Sequence, residues 1–362
     1  MEKNFKLLIM LFIGIMTSFT LSCDSDDDST DNGNNNSEGI DPSTKIFSTP
    51  KYANEACRFE VTDTKSAYES FELTESGMLI VTMRGEASAR SITRSDIIDD
   101  KVGSGGHRTY RYEKVGDLSY KLYTDNGEYW GTLKVVGDQW GTQQRPTDEG
   151  GTPYAQIAYC KDGGYPTNMQ TRWYFKYADD YATKNLCRSW KADIVRIEVM
   201  KGNSVTSRKE FKNFEAFQAW QEQEFYGLPL DEPYPEDIVS QLIFTYTGTF
   251  LVFIADGHIQ IGQWIWPKVD NSGATGFDIV PKERYDAIRA SFQIGYHDLE
   301  DYGYVFYWLG IYNSDQYKDI PYIYESINGK KMLRLQSTMQ GEGYLRNHTI
   351  KLYQYFSGVE ME

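Results

Sequence analysis

Short runs of aromatic and β-branched residues recur along the chain, and this pattern constrains the fold more than any other feature. The runs occupy residues 71–83, 107–112, 120–123, 128–136, 172–177, 190–199, 242–254, 258–266, 302–312, 332–337 and 349–356. Several are separated by the turn pairs Asn126-Gly127, Asp256-Gly257 and Asn328-Gly329. Because Asx-Gly pairs tolerate the positive φ angles of tight hairpins, they favour antiparallel strands joined in sequence order. The chain is therefore predicted to be mainly β, an antiparallel meander that forms an up-and-down barrel or a sandwich.

One segment departs from the two-residue period of a strand. Within residues 211–225 the apolar positions follow helical spacing, at Phe211, Phe214, Phe217, Ala219, Trp220 and Phe225. This spacing predicts one helix near residues 211–225, with Lys212 or Asn213 at its start. A second possible helix is predicted over residues 281–292.

An internal repeat divides the chain. Residues 73–83 align without gaps on residues 244–254, and the alignment keeps a threonine, a Ser/Thr-Gly turn and the apolar positions that follow. Upstream, Cys57-Arg58 echoes Cys187-Arg188. A chain of 362 residues also exceeds the size at which single hydrophobic cores stop growing. We therefore predict two tandem β domains, residues 45–180 and residues 181–362, with chance similarity between strand-turn-strand units as the alternative.

The N-terminus has the three zones of a secretory signal. Lys3 and Lys6 precede an apolar stretch over residues 7–16, and small and polar residues follow. The stretch is too short for a membrane-spanning helix, so residues 1–22 are predicted to be a cleaved signal peptide. Thr20-Leu21-Ser22-Cys23 then resembles the lipobox of bacterial lipoproteins, which implies that Cys23 becomes the lipidated first residue and anchors the protein to a membrane. An ordinary signal followed by an incidental cysteine is the alternative.

An acidic segment follows this cysteine directly. The run Asp24-Ser25-Asp26-Asp27-Asp28 resembles the export signal of surface lipoproteins of Bacteroidota, which implies an outer-membrane protein exposed on the cell surface. Asp28-Ser29-Thr30 also resembles the motif that this group O-glycosylates, so Ser29 is a candidate glycosylation site. Residues 23–44 are rich in acids and poor in apolar residues, and we expect them to form a disordered tether.

A second resemblance concerns the later half of the chain. Residues 186–191, Leu-Cys-Arg-Ser-Trp-Lys, followed by Thr-Gly-Thr-Phe and Gly-Gln-Trp hairpins, resemble the opening of lipocalin-like domains in these surface lipoproteins. The resemblance implies an up-and-down barrel in which Trp190 plugs one end. Arg188 stands where the family usually has glycine. An immunoglobulin-like sandwich is the alternative that the strand spacing allows.

Composition and motifs argue against several functions. The net charge of −15 opposes binding to nucleic acid, which requires phosphate neutralisation. None of the histidines, His107, His258, His297 and His348, has metal-ligand spacing to another histidine or to a cysteine, and we predict no metal or cofactor. The chain contains no nucleophile elbow, phosphate loop or dinucleotide fingerprint, which favours a protein that is not an enzyme. The cysteines Cys57, Cys160 and Cys187 are predicted to be buried hydrophobes, with one disulfide as the alternative.

Aromatic density is the remaining clue to function. Aromatic residues crowd positions 296–324, and tryptophans at positions 264 and 266 share one strand face. Flat rings with a polar handle stack on sugars or accept apolar ligands, and the candidate platform comprises Trp264, Trp266, Tyr304 and Trp308. The predicted function is thus non-enzymatic binding of a glycan or a small apolar ligand at the cell surface. A structural or host-facing interaction lipoprotein and an unrecognised hydrolase are the alternatives.

Overall fold

A computed structural model describes the parts of the chain on which every structural statement below rests. These are residues 39–61, 68–83, 107–117, 119–124, 126–136, 154–160, 167–174, 180–226, 238–255, 257, 259–267, 285–292, 318–340 and 346–359. The predicted signal peptide, Cys23, Ser29, Tyr304 and Trp308 lie outside the described residues. The described residues form two antiparallel β units, which confirms the prediction of a mainly β fold.

The first unit is a closed barrel. Its strands are β1 (Cys57–Val61), β2 (Tyr68–Leu73), β3 (Met78–Met83), β4 (His107–Gly116), β5 (Ser119–Tyr123), β6 (Tyr129–Val136), β7 (Tyr154–Cys160) and β8 (Thr167–Tyr174). Each strand pairs with the next, and β1 returns to β8 through pairs such as Phe59 with Trp173. Strands such as β1 alternate inward and outward residues, so one face of each is buried in a common core. Closure of the barrel also leaves no strand edge unpaired.

The second unit closes in a similar way. Its strands are β9 (Ser189–Lys201), β10 (Ser204–Phe211), β11 (Val239–Phe244), β12 (Thr249–Ile254), β13 (Ile259–Ile265), β14 (Ala287–Phe292), β15 (Lys318–Ile327), β16 (Lys330–Gln340) and β17 (Thr349–Gly358). The long strand β9 pairs with β17 along one edge, while its other edge pairs first with β11 and then with β10. Strand pairing therefore closes a ring through β9 and β11–β17, with β10 as an added hairpin strand.

Two helices belong to the second unit. Helix α1 (Tyr181–Leu186) precedes β9, and helix α2 (Phe214–Tyr226) follows β10. The prediction of a helix near residues 211–225 is confirmed, and Asn213 caps it by accepting the Ala216 N–H at 2.9 Å. Phe214 and Phe217 are buried in the core of the second unit.

The second possible helix, residues 281–292, is wrong over the part that the structure describes. Ala287–Phe292 is strand β14, which pairs with β13 and β15. Ile288 and Ala290 are buried in the core, whereas Arg289 points outward and forms an ion pair with Asp319. The segment forms a strand rather than a helix because its backbone pairs with β13 on one side and with β15 on the other.

The sequence repeat corresponds to a repeated hairpin. In each copy the threonine N–H donates to the carbonyl four residues later, Thr74 to Met78 at 2.8 Å and Thr245 to Thr249 at 3.0 Å. The turn glycines, Gly77 and Gly248, have φ angles of 79° and 87°. Side chains with a Cβ rarely adopt this region, which explains the glycine in both copies.

The next strand contacts both turns in matching positions. The Tyr112 N–H donates to the Gly77 carbonyl, and the Trp264 N–H donates to the Gly248 carbonyl, each at 2.8 Å. The hydroxyl of Tyr112 and the indole N–H of Trp264 both donate to the carbonyl of the turn threonine. The Cys-Arg pairs of the two copies differ in register by one residue. Cys57 pairs with Leu73 in the first copy. In the second copy, Phe244 is aligned with Leu73, and its N–H donates to the carbonyl of Arg188 rather than to that of Cys187. Both Cys57 and Cys187 are buried.

Residues 39–48, which we name the strap, cross one end of the second unit. The Ile40 N–H donates to the Tyr324 carbonyl at 2.7 Å, and Ile46 is buried in the core of this unit. The ring of Phe47 packs edge-on against Trp190 and Tyr324, with centroids 5.3 and 5.4 Å away. The chain thus contacts the second unit before it forms the first.

The two units share a buried interface. The Glu72 carboxylate of the first unit accepts hydrogen bonds from the hydroxyls of Thr245 at 2.9 Å, Thr249 at 2.7 Å and Thr247. Beside it lies an apolar cluster that joins the outer faces of β3 and β11–β13, made of Met78, Ile80, Ile243, Leu251, Phe253, Ile259 and Ile261. Burial of this apolar surface holds the units side by side.

Candidate functional site

Two of the four residues of the predicted aromatic platform lie in the hydrophobic core. Trp264 and Trp266 lie together, with centroids 5.3 Å apart, but only 4% and 6% of their surfaces are exposed. Their indole N–H groups donate to the Thr245 carbonyl and to the Thr183 hydroxyl. Two rings packed and hydrogen-bonded in this way present no open face to a sugar. The other two candidates, Tyr304 and Trp308, lie outside the described residues.

A cleft between the two units is the better candidate site. Its volume is about 190 Å³, and its walls are formed by Ser48, Thr49, Pro50, Lys51, Tyr52, Glu75, Ser76, Arg188, Ser189 and Val359. The strap leads into one wall, the β2–β3 turn supplies another, and the start of β9 and the chain after β17 complete it. The cleft is smaller than most drug-sized pockets, which suits a ligand about the size of one sugar ring.

Glu75 is the chemically unusual residue of the cleft. Its side chain is fully buried, Oε2 accepts the Tyr246 N–H at 3.4 Å, and Oε1 has no hydrogen-bond partner among the described residues. Burial raises the pKa of the carboxyl to about 8, against the opposing effects of backbone N–H bonds and of Arg188. Glu75 is therefore mostly protonated at pH 7 and carries a hydroxyl donor.

Arg188 also lines the cleft and is only 4% exposed. Its Nε donates to the Asn185 carbonyl at 2.9 Å, and Nη2 donates to the carbonyls of Ser48 at 2.9 Å and Lys184 at 3.2 Å. The guanidinium also lies 4.5 Å from the centroid of the Phe47 ring. These contacts fix the strap against α1 and so define the shape of the cleft.

Polar and aromatic groups complete the lining. The Ser76 hydroxyl lies 2.9 Å from that of Thr74, and the Ser189 hydroxyl accepts a hydrogen bond from Gln241. Tyr52 is partly exposed, and its ring packs on Tyr112 with centroids 4.9 Å apart. A cleft with one aromatic ring, three serine hydroxyls, a buried acid and a guanidinium can hydrogen-bond and stack against a small polar ligand.

Sequence reasoning did not find this site, because its residues come from four separate segments. One signal was available in the repeat: Glu75 stands where the second copy has Tyr246, so an acid occupies a turn position that is otherwise aromatic. Among the described residues, no group of three or more His, Cys, Asp or Glu side chains is suited to a metal ion. Within the same part of the chain, no helix combines the length and apolar character needed to cross a membrane.

Comparison with known proteins adds no relative. No family model, curated protein or solved structure matches the chain. The geometry and charge of the cleft are therefore the basis on which a function is inferred.

Proposed function

We propose that the protein is a lipid-anchored cell-surface lipoprotein that binds a small glycan, without chemical turnover, in the cleft between its two β units. The observation that carries the proposal is the buried Glu75, which lines the cleft and whose Oε1 has no hydrogen-bond partner in the part of the chain that the structure describes. A buried polar atom left unpaired costs about 1–3 kcal/mol, and a ligand hydroxyl would remove that cost.

A glycan suits the lining better than an apolar ligand does. A sugar hydroxyl both donates and accepts, so it pairs with Glu75 in either protonation state. The serine hydroxyls of Ser76 and Ser189 add further partners, and Tyr52 offers a flat ring to the C–H face of a sugar. An apolar ligand would leave Glu75 Oε1 without a hydrogen-bond partner.

The proposed location rests on the sequence. Cys23 would carry the lipid, and residues 24–38 between it and the strap could extend to about 50 Å. Such a tether would hold the cleft outside the headgroup layer of the outer membrane, where it can meet extracellular glycans.

A glycan-binding measurement on the unlipidated Cys23→Ser chain tests the proposal. We expect calorimetry with a panel of monosaccharides and disaccharides to detect binding that Glu75→Ala weakens at least tenfold. The matched control is Glu69→Ala, an exposed acid on β2, which should leave the affinity unchanged. Absence of binding to the panel, equal binding by Glu75→Ala, or accumulation of cleaved product would each contradict the proposal.

A further inference from the structure

Basic side chains outnumber acidic ones in the lining of the cleft. Among the described residues that line it, Lys51 and Arg188 are basic and Glu75 alone is acidic. Lys51 is exposed at the rim, with its Nζ 5.1 Å from the centroid of Tyr52, whereas Arg188 is buried in the wall. The lining is therefore positive whether or not Glu75 is ionised, although the chain as a whole carries a net charge of −15.

The surroundings of Glu75 keep its carboxyl neutral near pH 7. Burial raises its pKa to about 8, the nearby Glu72 adds to the rise, and Arg188 opposes it. The Tyr112 hydroxyl also lies in its electrostatic field, but it donates to the Thr74 carbonyl at 2.6 Å and its own pKa is raised by burial. A protonated Glu75 therefore presents an O–H donor rather than a negative charge to the cleft.

Resting on the proposed function, we propose that the preferred ligand is an acidic sugar whose carboxylate lies in the cleft between Glu75, Arg188 and Lys51. The protonated Glu75 donates its O–H to the ligand carboxylate, and the two basic side chains stabilise the negative charge. A hydrogen bond to an ionised acceptor is roughly twice as strong as one between neutral groups. The walls thus favour a uronic or sialic acid over a neutral sugar of the same size.

Recognition of this kind depends on pH in a defined direction. The ligand carboxylate binds the protonated form of Glu75 more tightly, because an ionised Glu75 has no O–H to donate and repels the carboxylate. Above about pH 8 binding must first return a proton to Glu75, so the affinity falls by up to roughly tenfold per pH unit. A neutral sugar binds both forms and shows no such loss.

The test compares matched ligands by calorimetry on the Cys23→Ser chain. Glucuronate, galacturonate and N-acetylneuraminate are titrated at pH 6.5 and 9.5 beside glucuronamide, which is the neutral counterpart of glucuronate, and glucose. We expect at least one acidic sugar to bind roughly ten- to a hundredfold more tightly than the neutral sugars at pH 6.5 and to lose at least tenfold at pH 9.5. Acetate should bind far more weakly, because it lacks the ring.

Two variants and one control separate the effect of charge on binding from an effect on the fold. Lys51→Gln should weaken the acidic sugar several-fold and glucose much less, while Lys45→Gln, an exposed lysine of the strap, should weaken neither. Glu75→Gln keeps an N–H donor and should abolish the loss of affinity at pH 9.5. Equal affinities for acidic and neutral sugars, or acetate binding as tight as the acidic sugars, would overturn this inference while the proposed function stands. Failure of every sugar to bind would overturn both.

Discussion

Two glutamates of one hairpin show how differently the same side chain is accommodated. Glu72 and Glu75 are both buried, but Glu72 accepts three threonine hydroxyls from the other unit. Oε2 of Glu75 accepts the Tyr246 N–H, whereas Oε1 has no partner among the described residues. The hydrogen bonds of Glu72 join the two units, whereas Glu75 retains an oxygen with which a ligand could form a hydrogen bond. Among single residues, Glu75 is therefore the one on which the proposed binding function rests.

We predict that Glu75→Gln makes the protein less sensitive to alkaline pH. The folded carboxyl has a pKa of about 8 against its usual 4.5, so the unfolded chain loses a proton that the folded chain retains between these values. Stability should then fall as the pH rises from 4.5 to 8, by on the order of 5 kcal/mol in total. Urea unfolding at pH 5 and pH 8 should show a smaller decrease for Glu75→Gln than for the unsubstituted chain.

The control for this prediction is Glu69→Gln, an exposed position on β2 whose pH dependence should match that of the unsubstituted chain. A Glu75→Gln protein that loses as much stability as the control between the two pH values would show that Glu75 is ionised in the fold.

Elements differed in how far the sequence could predict them. Helix α2 was predictable because its aromatic residues follow helical spacing and bury one face against β9 and β10. Residues 281–292 carry an ambiguous pattern, and pairing with β13 and β15 decides in favour of a strand. Helix α1 is too short to show a period, although Asp180 caps it by accepting the Thr183 N–H at 2.8 Å. The spacing of Trp264 and Trp266 fixed a shared face but could not show that the core covers it.

The strap offers a prediction at the same scale. Phe47→Ala should lower the free energy of unfolding by about 2–4 kcal/mol, because the ring packs against Trp190 and Tyr324 at the end of the second unit. It should also weaken glycan binding, since the guanidinium of Arg188 packs on the same ring. Urea unfolding and calorimetry measure the two effects. Lys45→Ala, an exposed change in the same segment, should produce neither, and equal behaviour of the two variants would assign the strap no structural role.

In the whole molecule, two separate parts of the chain contribute to the second unit. The strap packs on it before the first barrel forms, although Ile46 and Phe47 fall within the segment 45–180 that the sequence assigns to the first domain. The interface adds the Glu72 network and the apolar cluster around Leu251. The domain bounds stay a prediction, and the shared contacts indicate that the units support each other.

We predict that residues 181–362 expressed alone associate or aggregate. The fragment lacks the strap and exposes the apolar residues that face the first unit, including Ile243, Leu251 and Ile261. Size-exclusion chromatography should show larger species, and the fragment with Leu251→Thr and Ile261→Thr should shift towards the monomer. A monomeric unsubstituted fragment that unfolds cooperatively would instead show that the second unit is independent.

The anchor gives a prediction for the location of the molecule. Cys23→Ser should move the protein from the detergent phase to the aqueous phase of a phase-partition assay, because the thiol is the expected lipid attachment point and each acyl methylene is worth about 0.8 kcal/mol. Lys45→Gln, an exposed change that leaves residues 20–23 intact, is the control and should leave the protein with the detergent. A Cys23→Ser protein that stays in the detergent phase would contradict the lipobox interpretation.

The position of a bound glycan distinguishes the cleft from every other surface of the protein. A crystal structure of the Cys23→Ser chain with the tightest sugar of the panel should show the ligand between Tyr52, Glu75 and Arg188, with a ligand oxygen within hydrogen-bond distance of Glu75 Oε1. Density for the sugar inside a barrel, or on an outer face away from the cleft, would contradict the account.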